Sequence, residues 1–220
     1  MMKTELIRIY DPAEDAEGVL RAGDILVHGG LVAIPTETVY GLAANAYDEA
    51  AVKAVYAAKG RPSDNPMIVH IAELSALPEL VTAIPENAKI LAEAFWPGPL
   101  TMVLPRSSKI PLTTTGGLET VAIRMPSHPV ARAVIRAAGV PLAAPSANRS
   151  GSPSPTTFRH CVDDLWGLVD AIVESDDCTV GVESTVVSFL PDGTPQVLRP
   201  GAVTPEEIQR RCGCVSVAEA

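Results

Sequence analysis

Four segments of the chain concentrate side chains that bind anions and small polar molecules. Pro35-Thr-Glu-Thr-Val-Tyr-Gly-Leu42 follows an apolar strand and carries two hydroxyls and a carboxylate. That set suits a small zwitterion, the acid pairing with a cation or a neighbouring base. It equally suits a turn whose hydroxyls bond their own backbone. Lys59-Gly-Arg-Pro-Ser-Asp-Asn-Pro66 sets two cations one residue apart after a helix, with polar groups fit for phosphate oxygens or a hydrated metal; a basic helix end before a proline turn reads the same way. Ala144-Pro-Ser-Ala-Asn-Arg-Ser-Gly-Ser-Pro-Ser-Pro155 has small residues that let backbone N–H groups face an anion, and Ser146 and Asn148 add side-chain donors. A flexible loop is its plain alternative. Gly181-Val-Glu-Ser-Thr185 is followed by Leu198-Arg-Pro-Gly201, where Arg199 sits among apolar residues, an odd place for a solvated charge. His70 ends an apolar strand, where a satisfied core histidine is the default.

Other routes to chemistry are missing from the sequence. It holds no G-x-x-x-x-G-K-[ST], no G-x-G-x-x-G and no G-x-S-x-G. The cysteines Cys161, Cys178, Cys212 and Cys214 form no C-x-x-C, and the four histidines are not at zinc-ligand spacing. The net charge of −9 disfavours tracking a long phosphate backbone. Its distribution is uneven: eleven bases against six acids lie between residues 53 and 160, while 161–198 has eight acids and no base. An acidic chain with a basic middle points to a local anion site.

The elements that must hold these loops alternate. Short apolar strands at 31–34, 67–71, 100–104, 120–125, 142–144 and 171–174 are interleaved with helices starting at Asp11-Pro12, Asp48, Pro85 and Pro129. Strands at 185–190 and 196–198 form a hairpin across Pro-Asp-Gly, and Thr204-Pro-Glu-Glu207 opens a last helix with a capping box. The reading is one α/β domain of 220 residues with a twisted mixed sheet flanked by helices. Every apolar run is too short to cross a membrane and no signal peptide opens the chain, so a cytoplasmic protein is expected.

Thr36-Glu-Thr-Val-Tyr-Gly-Leu42, Lys59-x-Arg61, Asp64-Asn-Pro66, Trp96-Pro-Gly-Pro-Leu-Thr101, Val121-Ala-Ile-Arg-Met-Pro126, Pro145-Ser-Ala-Asn148, Gly181-Val-Glu-Ser-Thr185 and Leu198-Arg-Pro-Gly201 together resemble the YrdC-like threonylcarbamoyl-AMP synthases, in order, over about residues 10–212. The resemblance implies an enzyme, a nucleotidyltransferase, that joins L-threonine and bicarbonate into a carbamate and adenylylates it with ATP and Mg²⁺, releasing pyrophosphate. A tRNA-modifying transferase complex then moves the threonylcarbamoyl group to the adenosine beside the anticodon. It also implies roles. Lys59, Arg61, Ser146 and Asn148 belong at the triphosphate, and Asn65, Thr120, Ser154 and Arg199 also at ATP. Thr36 or Thr38, His70, Arg124, the Ala144 backbone and Ser184 belong at threonine, Arg124 gripping its carboxylate, and Mg²⁺ is held by phosphates rather than side chains. Removing Lys59 or Arg61 from an exposed loop is expected to weaken ATP binding with little effect on stability.

Longer members of the family carry a second C-terminal domain. This chain resembles the single-domain form, and the Ser150–Pro155 loop is the expected cover of the site. Two rivals remain: a double-stranded RNA or tRNA-binding module, against which stand nine aromatic residues and the acidic balance, and a carbamoyl transferase domain of hydrogenase-maturation type.

Overall fold

The computed structural model describes residues 1–219. In chain order the elements are β1 (Glu5–Arg8), α1 (Ala16–Val27), β2 (Val32–Ile34), β3 (Gly41–Asn45), α2 (Glu49–Lys59), β4 (Ile68–His70), a 3₁₀ turn (Leu74–Ala76) leading into α3 (Leu77–Leu80), and α4 (Glu86–Phe95). There follow β5 (Leu100–Pro105), β6 (Thr120–Arg124), α5 (Pro129–Ala138), β7 (Leu142–Ala143), α6 (Phe158–Leu165), β8 (Ala171–Glu174), β9 (Thr185–Phe189), β10 (Pro195–Arg199), α7 (Pro205–Cys212) and β11 (Ser216–Val217). The strands among the described residues form one sheet in the order β1-β8-β2-β3-β7-β4-β6-β5-β9-β10-β11. Parallel pairs such as β4/β6 occur beside antiparallel ones such as β5/β6, so the sheet is mixed, as the sequence predicts. No helix among the described residues is long and apolar enough to cross a membrane.

Strand periodicity divides the core. Val32 and Ile34 of β2 and Ala171 and Val173 of β8 face one apolar cluster with α1 and α5. Ala33 and Ile172, the residues between them, face a larger cluster with α2, α4, α6 and α7. Both sheet faces are covered, which is why these strands read as continuous apolar runs. Helices α1 and α5 approach so closely that a Cβ on Gly23 would lie 2.7 Å from Ala137.

Local signals fix the helix ends well. The Asp48 side chain accepts the Ala51 N–H and Gly60 stops α2 at φ +65°. Gly139 stops α5 at φ +71°. The Thr204–Glu207 capping box is present in full. The first helix departs from expectation: it begins at Ala16, not Pro12. Asp11 accepts the Ala13 N–H at 2.8 Å and Asp15 the Tyr10 N–H at 2.8 Å, so both carboxylates close a preceding turn instead. The sequence reading also misses β1, β3, the 3₁₀ turn with α3, α6 and β11.

Candidate functional site

Strand β6 shows how the sheet makes a site. Val121 and Ile123 enter the core, whereas Thr120, Ala122 and Arg124, two residues apart, line a cavity on the opposite face. Ile68 and His70 of β4 and Val103 of β5 flank them there, and Val186 with the half-exposed Leu118 and Leu198 adds apolar lining. The cavity holds about 410 Å³, within the range of small-molecule sites.

Eleven of the fourteen residues expected from sequence line it: Thr36, Thr38, Arg61, Asn65, His70, Thr120, Arg124, Ala144, Ser146, Ser184 and Arg199. They come from the β2–β3, α2–β4, β7–α6 and β8–β9 connections and from strands β4, β6 and β10. Lys59, Asn148 and Ser154 do not line it.

Their positions explain why. Lys59 is buried at the end of α2, where its Nζ donates to the Ser146 carbonyl and, at 2.8 Å, to the Asn148 carbonyl. Its own carbonyl accepts the Ser150 N–H at 2.8 Å. Lys59 therefore fastens the 146–150 loop to α2, and it is not in the exposed loop the sequence suggested. Burial, followed by the Arg61 charge, brings its ammonium down to about 8. Asn148 turns its amide to the Arg149 and Ser152 carbonyls at 2.7 and 2.8 Å, and its Oδ1 is buried without a partner. The Ser154 hydroxyl donates to Glu183 at 3.1 Å. Arg61 stays at the cavity, bracing its own loop through the Asn65 and Pro66 carbonyls.

The Thr36–Tyr40 turn does two things at once. Thr36 donates to the Val39 carbonyl at 2.6 Å and accepts the Thr38 and Val39 N–H groups at 3.2 Å, which spends its hydrogen bonds within the turn. Thr38 accepts Arg124 Nη1 at 2.8 Å. Arg124 also donates from Nη2 to Glu37 and from Nε to the Gly98 carbonyl at 3.3 Å, leaving one N–H on each terminal nitrogen among the described contacts. Burial pushes the Glu37 carboxyl up, but Arg124 and the N–H and O–H of Ser127 outweigh it and hold the group below the usual range. His70 Nδ1 lies 3.0 Å from the Ile68 carbonyl; a proton there leaves Nε2 as an acceptor. Burial, then the Arg124 charge, keeps this imidazole neutral down to about pH 3.

Arg199 is engaged from both sides. Its Nε and Nη2 donate to the Ser184 carbonyl at 3.1 and 2.9 Å, and Nη1 meets Glu183 at 3.0 Å. Ser184 Oγ lies 2.7 Å from Thr101 Oγ1. The Glu37 carboxylate, expected from the sequence to pair with a cation or a base, meets Arg124, whereas Glu183, Thr101 and Ser127 were not singled out. Glu183 lies inside a motif that was, and a carboxylate beside a candidate arginine partner is the signal available. Among the described residues no three His, Cys, Asp or Glu side chains assemble into a metal cage. What the site offers is cations, hydroxyls and one neutral imidazole beside apolar lining, a set that binds an anion and orients a zwitterion.

The chain is 49% identical over 214 residues to the threonylcarbamoyl-AMP synthase of Pyrococcus abyssi (strain GE5 / Orsay), covering 97% of this chain and 62% of the relative. It is 37% identical over 210 residues to the putative threonylcarbamoyl-AMP synthase of Mycobacterium tuberculosis (strain ATCC 25618 / H37Rv), covering 96% of both. The solved structure of P. abyssi Sua5 complexed with L-threonine superposes with a TM-score of 0.94 at 47% identity, over 98% of this chain and 63% of that one. The chain thus spans about three fifths of the P. abyssi protein's length. The family model for Sua5, YciO and YrdC, described as "Telomere recombination", matches residues 24–201; the chain belongs to the Sua5/YciO/YrdC family.

Proposed function

We propose that this chain makes L-threonylcarbamoyl-AMP from L-threonine, bicarbonate and ATP, releasing pyrophosphate, for a transferase that modifies tRNA. One observation carries the reading: a single cavity is lined both by the buried set Arg124, Thr38 and His70 and by Arg61, Ser146 and Arg199. The first set fits an amino acid, the second a polyphosphate.

The nucleophiles belong to the substrates. The threonine amine adds to the bicarbonate carbon with loss of water, and the carbamate oxygen then attacks the α-phosphorus while its bond to pyrophosphate breaks. The protein has to hold the reactants in line and balance charge. The two remaining N–H groups of Arg124 grip the threonine carboxylate, with Glu37 fixing the guanidinium. Neutral His70 accepts from a substrate donor at Nε2. Arg61 and Arg199 offset the charge of the phosphates, which carry Mg²⁺ into the site as part of the nucleotide substrate.

The test is to incubate the protein with ATP, L-threonine, bicarbonate and Mg²⁺, measuring pyrophosphate and detecting the mixed anhydride by mass spectrometry. Release that requires threonine and no RNA supports the reading and sets aside an RNA-binding module. No pyrophosphate from folded protein overturns it.

A further inference from the structure

Arg124 and Arg199 each hold a glutamate, but the two pairs differ in how readily they can open. The Arg124 and Glu37 side chains are 4% and 8% exposed, so parting them would strand two buried charges. The Arg199 and Glu183 side chains are 38% and 40% exposed, in contact with water that can solvate either partner. Glu183 uses both oxygens: one meets Arg199 at 3.0 Å and the other accepts the Ser154 hydroxyl at 3.1 Å. It lies in the irregular 175–184 segment, so its side chain can swing without breaking a strand ladder. It is also the one carboxylate lining the cavity among the described residues.

We propose that Glu183 is a displaceable internal counter-ion: its carboxylate holds the Arg199 donors that a phosphate group of the incoming nucleotide takes over, and its departure also releases the Ser154 hydroxyl. This rests on the reading above that a polyphosphate enters the cavity. A carboxylate is a single charge, and an anion must outbid it. ATP and pyrophosphate do so because they contact Arg61 as well as Arg199, whereas inorganic phosphate reaches too few donors at once. Once displaced, Glu183 faces water and its charge discourages smaller anions from lingering. The residue thereby selects polyphosphates over phosphate.

Calorimetric dissociation constants for ATP, pyrophosphate and inorganic phosphate, with Mg²⁺ and with EDTA, test this on the wild type, Glu183→Gln, Arg199→Gln and the double variant. Glu183→Gln is expected to tighten all three anions roughly two- to fivefold in EDTA, most of all phosphate, as befits loss of one exposed ion-pair competitor. The gain should vanish when Arg199 is also replaced. A merely structural residue would not raise affinity on removal, and Glu183→Ala should show the same gain. Unchanged or weaker binding in EDTA overturns the proposal, as does weakening confined to Mg²⁺, which would make Glu183 a cation ligand. Failure of all four proteins to bind ATP overturns the proposed function itself.

Discussion

Arg124 and Glu37 neutralise each other inside the protein, 87 residues apart in sequence and both more than nine-tenths buried. The arginine that best suits a substrate carboxylate therefore already has an anion, and Glu37 in turn is tied to the Ser127 N–H and O–H at 2.9 and 2.7 Å. Glu37 is what makes a buried cation tolerable before any substrate arrives. Glu37→Ala should cost about 3–5 kcal/mol in urea unfolding, the scale for stranding one partner of a buried pair. Because its carboxyl is held below the usual range, its stabilisation is complete above the unfolded-state pKa and lost as pH falls through the folded value. Glu37→Gln should accordingly flatten the acid limb of the stability profile.

His70 gives a second pH signature. Its imidazole resists protonation down to about pH 3, well below the ordinary 6.5. Between those values the unfolded chain binds the extra proton, so this contribution to stability is whole above pH 6.5 and declines as pH falls toward 3. Unfolding midpoints measured from pH 7 to pH 4 should fall less steeply in His70→Gln than in the wild type. Parallel profiles would mean that water reaches the ring.

Lys59 should behave as a structural fastener as well as a cation. Removing it leaves the Ser146 and Asn148 carbonyls without their donor. Lys59→Ala is expected to cost about 2–6 kcal/mol, since each of the two acceptors left unpaired costs about 1–3 kcal/mol. Arg61→Ala, at a half-buried position, should cost under about 1 kcal/mol of stability while weakening ATP binding tenfold or more, the scale of a charge-assisted contact. Chemical denaturation and nucleotide titration of both variants separate the two roles.

These contrasts mark what the sequence discloses. Helix ends at Asp48, Gly60, Gly139 and Thr204 are legible because each depends on a local hydrogen bond or a single dihedral angle. The strand Thr120-Val-Ala-Ile-Arg124 is legible too, and its period of two sends Val121 and Ile123 into the core and Thr120, Ala122 and Arg124 to the cavity. Strand β3 is not, because Gly41-Leu-Ala-Ala-Asn45 has no β-branched residue and owes its state to its neighbours β2 and β7. The cluster of site residues was readable as motifs, and eleven of them do share one cavity. Which charge meets which was not: Lys59 faces carbonyls 87 and 89 residues away, and only the fold brings them together.

The sequence leaves Thr36 and Thr38 equivalent, and the structure separates them. Thr36 commits its hydroxyl to Val39 and to two N–H groups of its own turn. Thr38 is the one joined to Arg124, at 2.8 Å, although both threonines line the cavity and their hydroxyls lie 2.9 Å apart. Thr36→Val should therefore act mainly on stability, losing a turn contact worth about 1 kcal/mol per hydrogen bond. Thr38→Val should act mainly on the amino acid, raising KM for L-threonine with a small effect on the apparent affinity for ATP. The unsubstituted site should also discriminate by the substrate's own hydroxyl. A pocket that hydrogen-bonds a hydroxyl leaves its polar groups unpaired when the analogue lacks it. Pyrophosphate release should then be greatest with L-threonine, lower with L-serine for want of the methyl contact, and least with L-valine. Equal turnover with valine would show that the cavity does not read that hydroxyl, and equal KM shifts in the two threonine variants would show that Arg124 does not single out Thr38.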